Sequence, residues 1–336
     1  MAIRLDPIQE WRENYARRVL NIDFEPLTDA PFMASFSPIF DHLRIARSVL
    51  SPGVTFRDDE LVKDGDDSYS IIISRSSKLE VTHRRRSLML GRNDATVLHV
   101  CEPGTLGAMQ PFSYVTVLIP KKELSARGTH LAEVVAKTLP RRSDGLQLLR
   151  AYINAIEQGR LSSSALARPT IQRHIIELAE LACTPNANLG ESSSSAISAA
   201  RVEAILDCIA KRFHHPDLSV AAVAKSQRIS PRYLQRLLEV TGMTFTEHVN
   251  ELRLQNAFAL LTQAGEGRSR IIDVALQAGF SDISHFNRLF RSRFGETPCA
   301  VRAQVHTDTM MEVATAKIAP YATQVACSPV ASKQST

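Results

Sequence analysis

Near the end of this 336-residue chain one pattern occurs twice, because Val223 aligns with Val274 and Gly242 aligns with Gly295, at spacings of 51 and 53. The later copy, at 270–302, reads RIIDVALQAGFSDISHFNRLFRSRFGETPCAVR. Apolar residues in its second half recur at i, i+3, i+4 and i+8, with polar and cationic residues between them: Phe286, Leu289, Phe290 and Phe294. This spacing predicts a helix, a tight turn and a second helix with a polar outer face. A polar helix held in this way suits a DNA major groove.

The turn inside each copy restricts the backbone. Gly279 suits a position with positive φ, where any side chain costs energy. The first copy has Arg228 at the equivalent position. Ser230 and Ser281 follow the two turns, and each is predicted to cap the N-terminus of the next helix.

Helical periodicity continues over residues 199–304, which are predicted to form one all-α domain. Within it we expect the first helix-turn-helix at about 219–242, a long linking helix at 244–262 and the second helix-turn-helix at about 270–294. The preceding stretch, 184–198, contains Pro, Gly and five serines without periodicity, and is predicted to be a flexible linker. The tail at 305–336 is weakly patterned and is expected to be disordered.

The first half of the chain changes from helical to strand patterning and back again. Residues 1–40 are predicted to be a helical lead-in, 41–125 a β domain, and 126–183 a helical region. Gly, Pro and Asn-Asp turns separate the predicted strands, which are Val54–Phe56, Ser70–Ser74, Leu79–Thr82, Ser87–Leu90, Thr96–Val100 and Tyr114–Ile119. Short strands at close spacing favour a β-sandwich or barrel with flanking helices. The whole chain is therefore predicted to have an α+β architecture.

The distribution of charge favours a nucleic-acid partner for the second half. Residues 201–305 hold 14 Lys and Arg against 10 Asp and Glu, which is most of the net charge of +5. Such an excess fits a phosphate-binding surface, although it also occurs in domains with other partners. The five cysteines show neither metal-ligand pairs nor a disulfide pattern, so we expect a reduced, cytoplasmic protein. No apolar run approaches ~18 residues, so no membrane span is expected.

Both helix-turn-helix units, the linking stretch FTEHVNELRLQNAFALL and the closing GETP appear in order, and together they closely resemble the C-terminal DNA-binding domain of the AraC/XylS family of transcriptional regulators. The resemblance covers about 199–304. It departs at Arg228, His248 and Val301, where that family often has Gly, an aromatic residue and Tyr. More loosely, the strand pattern with the runs at 92–98 and 102–105 resembles the cupin-like sensing domains of the same family.

The resemblance implies a sequence-specific transcription regulator, an activator by family, whose partner is double-stranded DNA. It also implies that 41–125 sense a small-molecule effector, that 126–183 make a homodimer, and that the protein contacts RNA polymerase. Two recognition helices on one linking helix would read two successive major-groove segments about 34 Å apart.

The major groove displays a distinct donor and acceptor pattern for each base pair, which Arg, Asn and Gln read bidentately. The positions that match the family's base-reading residues are Arg232, Gln235, Arg236, Ile283, Ser284, His285, Asn287 and Arg288. Three further arginines are expected to contact phosphates or to support the scaffold: Arg253, Arg291 and Arg293. Alternatives remain open for several of these residues, because Arg236 and Arg288 can also form intradomain salt bridges and Ile283 can pack locally.

The first half of the sequence contains no recognisable pattern of catalytic, cofactor-binding or metal-binding residues. His42, His83 and His99 lack the spacing that a metal-dependent cupin enzyme needs, and no nucleophile and base pair is apparent. The run at 83–86 is interpreted as a solvated strand end, because strand alternation would divide its arginines between two faces. Two alternative functions are a cupin-type enzyme with an attached DNA-binding domain, and an architectural DNA-binding protein with little sequence preference.

Overall fold

The chain divides by its internal contacts into two units, residues 1–205 and 206–336. The structure is a computed structural model, and it describes residues 7–17, 20–40, 43–125, 131–139, 141–161, 166–184, 194–263 and 270–303. The predicted tail at 305–336 and most of the predicted linker therefore lie outside the described residues. So do His42 and the start of the predicted helical region, at 126–130.

The first unit is built around two antiparallel sheets. In chain order its strands are β1 (Asp23–Pro26), β2 (Ala34–Phe40), β3 (Ile45–Leu50), β4 (Gly53–Arg57), β5 (Tyr69–Ser74), β6 (Leu79–His83), β7 (Arg86–Leu90), β8 (Ala95–His99), β9 (Gly104–Ala108), β10 (Phe112–Ile119) and β11 (Thr138–Leu139). A five-stranded sheet has the order β1-β4-β9-β6-β7, and a six-stranded sheet has the order β11-β8-β5-β10-β3-β2. This arrangement confirms the predicted α+β fold with an N-terminal β-sandwich.

The helices of this unit are α1 (Pro7–Trp11), which continues as a π-helical turn (Arg12–Ala16), then α2 (Lys121–Ser125), α3 (Leu131–Val134), α4 (Asp144–Glu157), α5 (Arg168–Cys183) and α6 (Ser195–Arg212). Strand β5 shows how helices and sheets pack together, since all six of its residues are buried. Its odd-numbered residues Ile71 and Ile73 join the cluster that includes α4 and α5, whereas Ile72 joins the cluster between the sheets. A strand covered on both faces has a continuous apolar run, as here.

Two predicted boundaries in this unit are wrong. The helical lead-in ends before residue 23, because β1 and β2 occupy the second half of 1–40. Both are edge strands, and each contains a proline (Pro26 and Pro38), which an edge tolerates because one side of the strand lacks a hydrogen-bonding partner. The predicted linker ends before residue 195, where α6 begins, and Ala196 and Ile197 are buried against the helical cluster.

The second unit is helical over the residues described. It contains α7 (Val220–Ser226), α8 (Pro231–Leu238), α9 (Phe245–Gln263), α10 (Ile271–Gln277) and α11 (Ile283–Phe294). The division between the two units falls within α6, at 205/206 rather than at the predicted 199. Aromatic side chains from α10 to α11 pack on the linking helix α9, with Phe280, Phe286 and Phe290 buried beside Leu254 and Ala257. No helix in the described ranges is long and apolar enough to cross a membrane.

Candidate nucleic-acid interface and effector cavity

The two turns of the second unit have the same hydrogen-bonded geometry. In the first turn the amides of Arg228 and Ile229 donate to the carbonyls of Lys225 and Ala224; in the second the amides of Gly279 and Phe280 donate to those of Leu276 and Ala275. Each of the four residues in the hydrogen bonds of the second turn lies 51 residues after the equivalent residue of the first turn. Both central residues have positive φ, +54° at Arg228 and +99° at Gly279. Arg228 therefore adopts the left-handed conformation that the glycine of the second copy provides without steric cost.

Helix α8 presents one apolar and one polar face. Ser230 caps its N-terminus, as predicted, by accepting a hydrogen bond from the amide of Tyr233 at 3.2 Å. The apolar residues at helical spacing are buried, whereas Arg232, Gln235 and Arg236 are exposed. The guanidinium carbon of Arg236 lies 4.8 Å from the ring centroid of Tyr233, a distance typical of a cation–π contact. The three predicted base-reading residues of this helix therefore share one accessible face.

Helix α11 presents the equivalent face in the second copy. Phe286 and Phe290 are buried, while Ser284, Asn287 and Arg288 are exposed. A guanidinium nitrogen of Arg288 donates to Nδ1 of His285 at 3.1 Å, which orients the arginine along the helix surface. Ile283 is half-buried and packs against the aromatic cluster, so the structure favours local packing for this residue.

The N-cap of α11 differs from the prediction. Asp282, rather than Ser281, accepts hydrogen bonds from the amides of Ser284 at 2.7 Å and His285 at 3.1 Å. These two backbone donors hold the pKa of the Asp282 carboxyl below its ordinary value. Ser and Asp are equally good caps, so the sequence pattern alone does not decide between adjacent positions.

Of the two roles left open for Arg253, the structure favours the scaffold role. Its Nε donates to the carbonyl of Phe213 at 2.7 Å and one terminal nitrogen donates to that of His215 at 3.0 Å. The guanidinium carbon also lies 5.9 Å from the ring centroid of Phe280. Burial lowers the pKa of Arg253. The side chain thereby joins the linking helix to the residues that follow α6 and to the second turn.

The two remaining phosphate candidates differ in their contacts. Arg293 makes a bidentate ion pair with Glu251, at 2.9 Å for both nitrogen–oxygen pairs, and this carboxylate offsets its charge. Arg291 lies on the same helix and is exposed, and it forms no ion pair with any residue that the structure describes. Arg291 is therefore better suited than Arg293 to contact a phosphate.

A cavity of about 70 Å³ lies between the two sheets of the first unit. The five-stranded sheet contributes residues such as Thr55 and Leu106, and the six-stranded sheet contributes residues such as Ile72 and Thr116. A water molecule occupies roughly 10–15 Å³ on this scale, so the space holds several waters or one small molecule. The sequence pattern had no signal that located this cavity.

Apolar atoms make up most of the surface of the cavity wall, but polar and charged side chains also line it, among them Arg57, Ser70 and Thr116. The Oγ of Ser70 is buried in this wall and has no hydrogen-bond partner among the described residues. Arg57 also lines the cavity, but it is engaged by the carboxylate of Asp64 and by the carbonyl of Val100. Ser70 therefore offers a hydrogen bond that a ligand in this space can complete.

One edge of the cavity holds a group of ionisable side chains from 83 to 102. His83 ends β6, and Arg84 and Arg85 form the hairpin turn with positive φ at +50° and +59°, so the predicted strand alternation does not apply to them. Arg84 makes a bidentate ion pair with Glu102, at 2.5 and 2.6 Å. The hydrogen bonds from Arg84, assisted by His99, lower the pKa of Glu102 to about 2.

A helical unit with two exposed polar helices, in one chain with a β-sandwich that contains a cavity, is the construction of a ligand-responsive DNA-binding regulator. Comparison with protein families agrees with this class. Residues 223–304 match a helix-turn-helix domain, and residues 11–182 match an AraC-binding-like domain, which is more than half of the chain. The chain belongs to the AraC family of transcriptional regulators.

Individual relatives are distant. The transcriptional activator RhrA of Rhizobium meliloti (strain 1021) is 27% identical over 71% of this chain and 74% of its own length. The transcriptional activator NphR of a Rhodococcus species is 24% identical over 72% of this chain and 71% of its own. Among solved structures, that of the AraC-like transcriptional activator CuxR is 19% identical, with a TM-score of 0.44, over 82% of this chain and 97% of that one.

The three departures from the family pattern each have a structural solution. Arg228 adopts positive φ at the first turn. The ring of His248 is 2.8 Å from the hydroxyl of Thr241, a contact that joins the linking helix to the residues that follow α8 in the first copy. Val301 is buried in the aromatic cluster of the second copy. These substitutions are therefore compatible with a folded DNA-binding unit.

Proposed function

We propose that the exposed faces of α8 and α11 read two successive major-groove segments, about one helical turn apart, on one side of the DNA. The observation that carries this proposal is the equivalence of the two faces. Arg232, Gln235 and Arg236 lie 52 residues before Ser284, Asn287 and Arg288, and all six are exposed. Base contact is assigned to these residues, phosphate contact to Arg291, and scaffold roles to Arg253 and Arg293.

The test uses three arginines of one helix in the full-length protein. Arg288→Ala is expected to lose about 1–3 kcal/mol on a site selected from random DNA, a loss of about 5- to 150-fold, and to relax the preference at one base pair. Arg291→Ala is expected to weaken binding to all sequences alike and to reduce the salt slope by about one.

Arg293→Ala is the matched control, since its charge is already offset by Glu251. It is expected to change base preference little. If Arg293→Ala and Arg288→Ala relax the same base preference to the same extent, the assignment of the exposed face is wrong. Equal affinity of the wild-type protein for selected and random DNA at fixed salt would favour the architectural alternative instead.

We further propose that the cavity of the first unit binds the effector, a small and mostly apolar molecule with one group that hydrogen bonds to Ser70. The buried hydroxyl without a partner and the apolar wall support this assignment. Mapping the bound sites across the genome would identify the regulated promoter and supply a reporter. Ser70→Leu is expected to fill the space and to abolish the response to effector while DNA binding persists. A full response in that variant would place the effector elsewhere.

Activation of transcription, contact with RNA polymerase, homodimerisation through 126–183 and action in the cytoplasm complete the proposal. Two relatives named as activators support the first of these. The absence of catalysis in the first unit is part of the same proposal. β-sandwich folds of many kinds host enzymes, so catalysis has to be tested directly. Turnover of a substrate by the first unit would contradict this part of the proposal.

A further inference from the structure

Three side chains with metal-binding atoms converge at the edge of the cavity, at the end of β8 and in the residues that follow it. They are His99, Cys101 and Glu102, and one ligand atom from each lies within 4.8 Å of the others. The sulfur of Cys101 is 3.2 Å from Nδ1 and 3.3 Å from Nε2 of His99, and Nδ1 is 3.4 Å from a carboxylate oxygen of Glu102. Neither the family match nor the sequence pattern assigns a role to this group.

The nitrogen–oxygen separation matches that of two ligands on one tetrahedral ion, and the nitrogen–sulfur separation is slightly shorter than such an ion requires. Zinc bonds of about 2.3 Å to sulfur and about 2.0–2.2 Å to nitrogen and oxygen give ligand separations of about 3.4–3.6 Å. Imidazole, thiolate and carboxylate together form a mixed set that suits zinc better than magnesium or calcium, which prefer oxygen alone. We propose that His99, Cys101 and Glu102 bind a zinc-type divalent cation with three protein ligands and one open position.

Neighbouring side chains orient two of the three proposed ligands, His99 and Glu102. The ring of His99 stacks on Tyr69, with centroids 4.6 Å apart and planes within 12°, which fixes the direction of its nitrogens. Arg84 holds the carboxylate of Glu102 by one hydrogen bond to each oxygen. A carboxylate has about four lone-pair positions, so Arg84 leaves a position on the oxygen that faces His99. Fixed partners of this kind orient the ligands of protein metal sites.

The third ligand is accessible, and the site borders the cavity. Cys101 is exposed, so its side chain can turn toward an ion without disturbing the packed core. His99 and Glu102 also line the cavity, and an ion held by them would lie at its edge. The site is independent of the proposed effector assignment, since it is defined by these side chains alone.

The experiment measures metal binding to the tag-free, reduced, full-length protein after treatment with a chelator. Zn²⁺ is titrated against a chromophoric competitor, and Co²⁺ is used as a spectroscopic substitute because a thiolate ligand gives a ligand-to-metal charge-transfer band. One equivalent of Zn²⁺ and a thiolate–Co²⁺ band are expected. Cys101→Ser should abolish the band, and His99→Gln and Glu102→Gln should each weaken zinc binding by about tenfold or more.

Cys299→Ser is the matched control, because Cys299 is also an exposed free cysteine but lies in the other unit. It should keep both the band and the affinity of the wild-type protein. Thermal unfolding of each variant verifies that the fold is retained, and Cys101→Ser is expected to preserve it because the residue is exposed. A wild-type protein without saturable zinc binding would overturn the proposal, and so would a Cys101→Ser variant that binds as well as wild type.

Discussion

Replacing Gly279 with Ala is expected to damage the second helix-turn-helix without changing its exposed face. A Cβ at this position would lie 2.9 Å from both the Cα and the carbonyl oxygen of His214, and 3.0 Å from Nε of Arg253. The first two are backbone atoms, which cannot rotate away as a flexible side chain can. The positive φ of +99° adds the cost of a left-handed conformation. About 1–2 kcal/mol for the conformation and about 1–3 kcal/mol for overpacking give a loss of about 2–5 kcal/mol.

The equivalent position in the first copy provides the opposite experiment. Arg228 already bears the cost of positive φ, at +54°, so Arg228→Gly removes that strain. Part of the gain is offset, because glycine has more conformational freedom to lose on folding. We expect Arg228→Gly to stabilise the second unit by about 0.5–1 kcal/mol. The two substitutions at aligned positions should therefore change stability in opposite directions.

The assay is hydrogen exchange and urea unfolding of the full-length protein, with exchange in 7–205 as the internal reference. Protection in α10 and α11 should fall in Gly279→Ala and rise slightly around α7 and α8 in Arg228→Gly. A Gly279→Ala protein as stable as wild type would refute the close approach at the second turn. Destabilisation by Arg228→Gly would refute the equivalence of the two turns.

Three further outcomes follow from single contacts. Arg85→Gly should stabilise the β6–β7 hairpin by about 1 kcal/mol, measured by thermal unfolding, because it removes a positive φ of +59°; a lower unfolding temperature would contradict this. Burial opposes ionisation of Asp66, but hydrogen bonds from Arg44 and Ser68 outweigh it and lower the pKa to about 2 from 3.8. Asp66→Asn should therefore lower the urea midpoint above the ordinary pKa, with the difference vanishing as pH falls through about 2. Arg253→Gln removes both the charge and the fork that joins two carbonyls, so the free energy of unfolding should fall by about 1–3 kcal/mol while the salt slope of DNA binding stays unchanged; a slope reduced by about one would restore the phosphate role.

Five of the six strands that the sequence predicted lie inside the sheets, as does the buried run of β5. The sixth, β7, is an edge strand. Strand β9, GTLGA, was missed because its glycines resemble turn residues. In the structure Gly107 allows close approach, since a Cβ there would lie 2.4 Å from the carbonyl oxygen of Gly53 on β4. A glycine that permits two strands to approach and a glycine that permits a turn look alike until the partner strand is known.

The candidate sites show the same division between local and long-range information. The exposed residues of α8 and α11 follow from helical periodicity and could be predicted from the sequence. The cavity could not, because it depends on which residues of two sheets face each other across the sandwich. The group at 99–102 is visible in the sequence as a short run that contains His, Cys and Glu. Its spacing matches neither a pair of metal-binding cysteines nor the histidine pattern of a cupin metal site, and stacking on Tyr69 has no local signature.

Contacts of the linking helix α9 constrain how the two recognition helices can be used. His248 near its start contacts Thr241 of the first copy. Within about one and a half further turns, Glu251 contacts α11 and Arg253 contacts the second turn. Side chains of the one linking helix thus contact both copies. The separation between the two recognition helices is therefore set by α9 rather than by the turns alone. Base preference should therefore depend on the exposed residues, whereas the preferred spacing between the two groove segments should depend on Glu251 and Arg253. Arg253, first considered as a contact to phosphate, would then select DNA through geometry, without touching it.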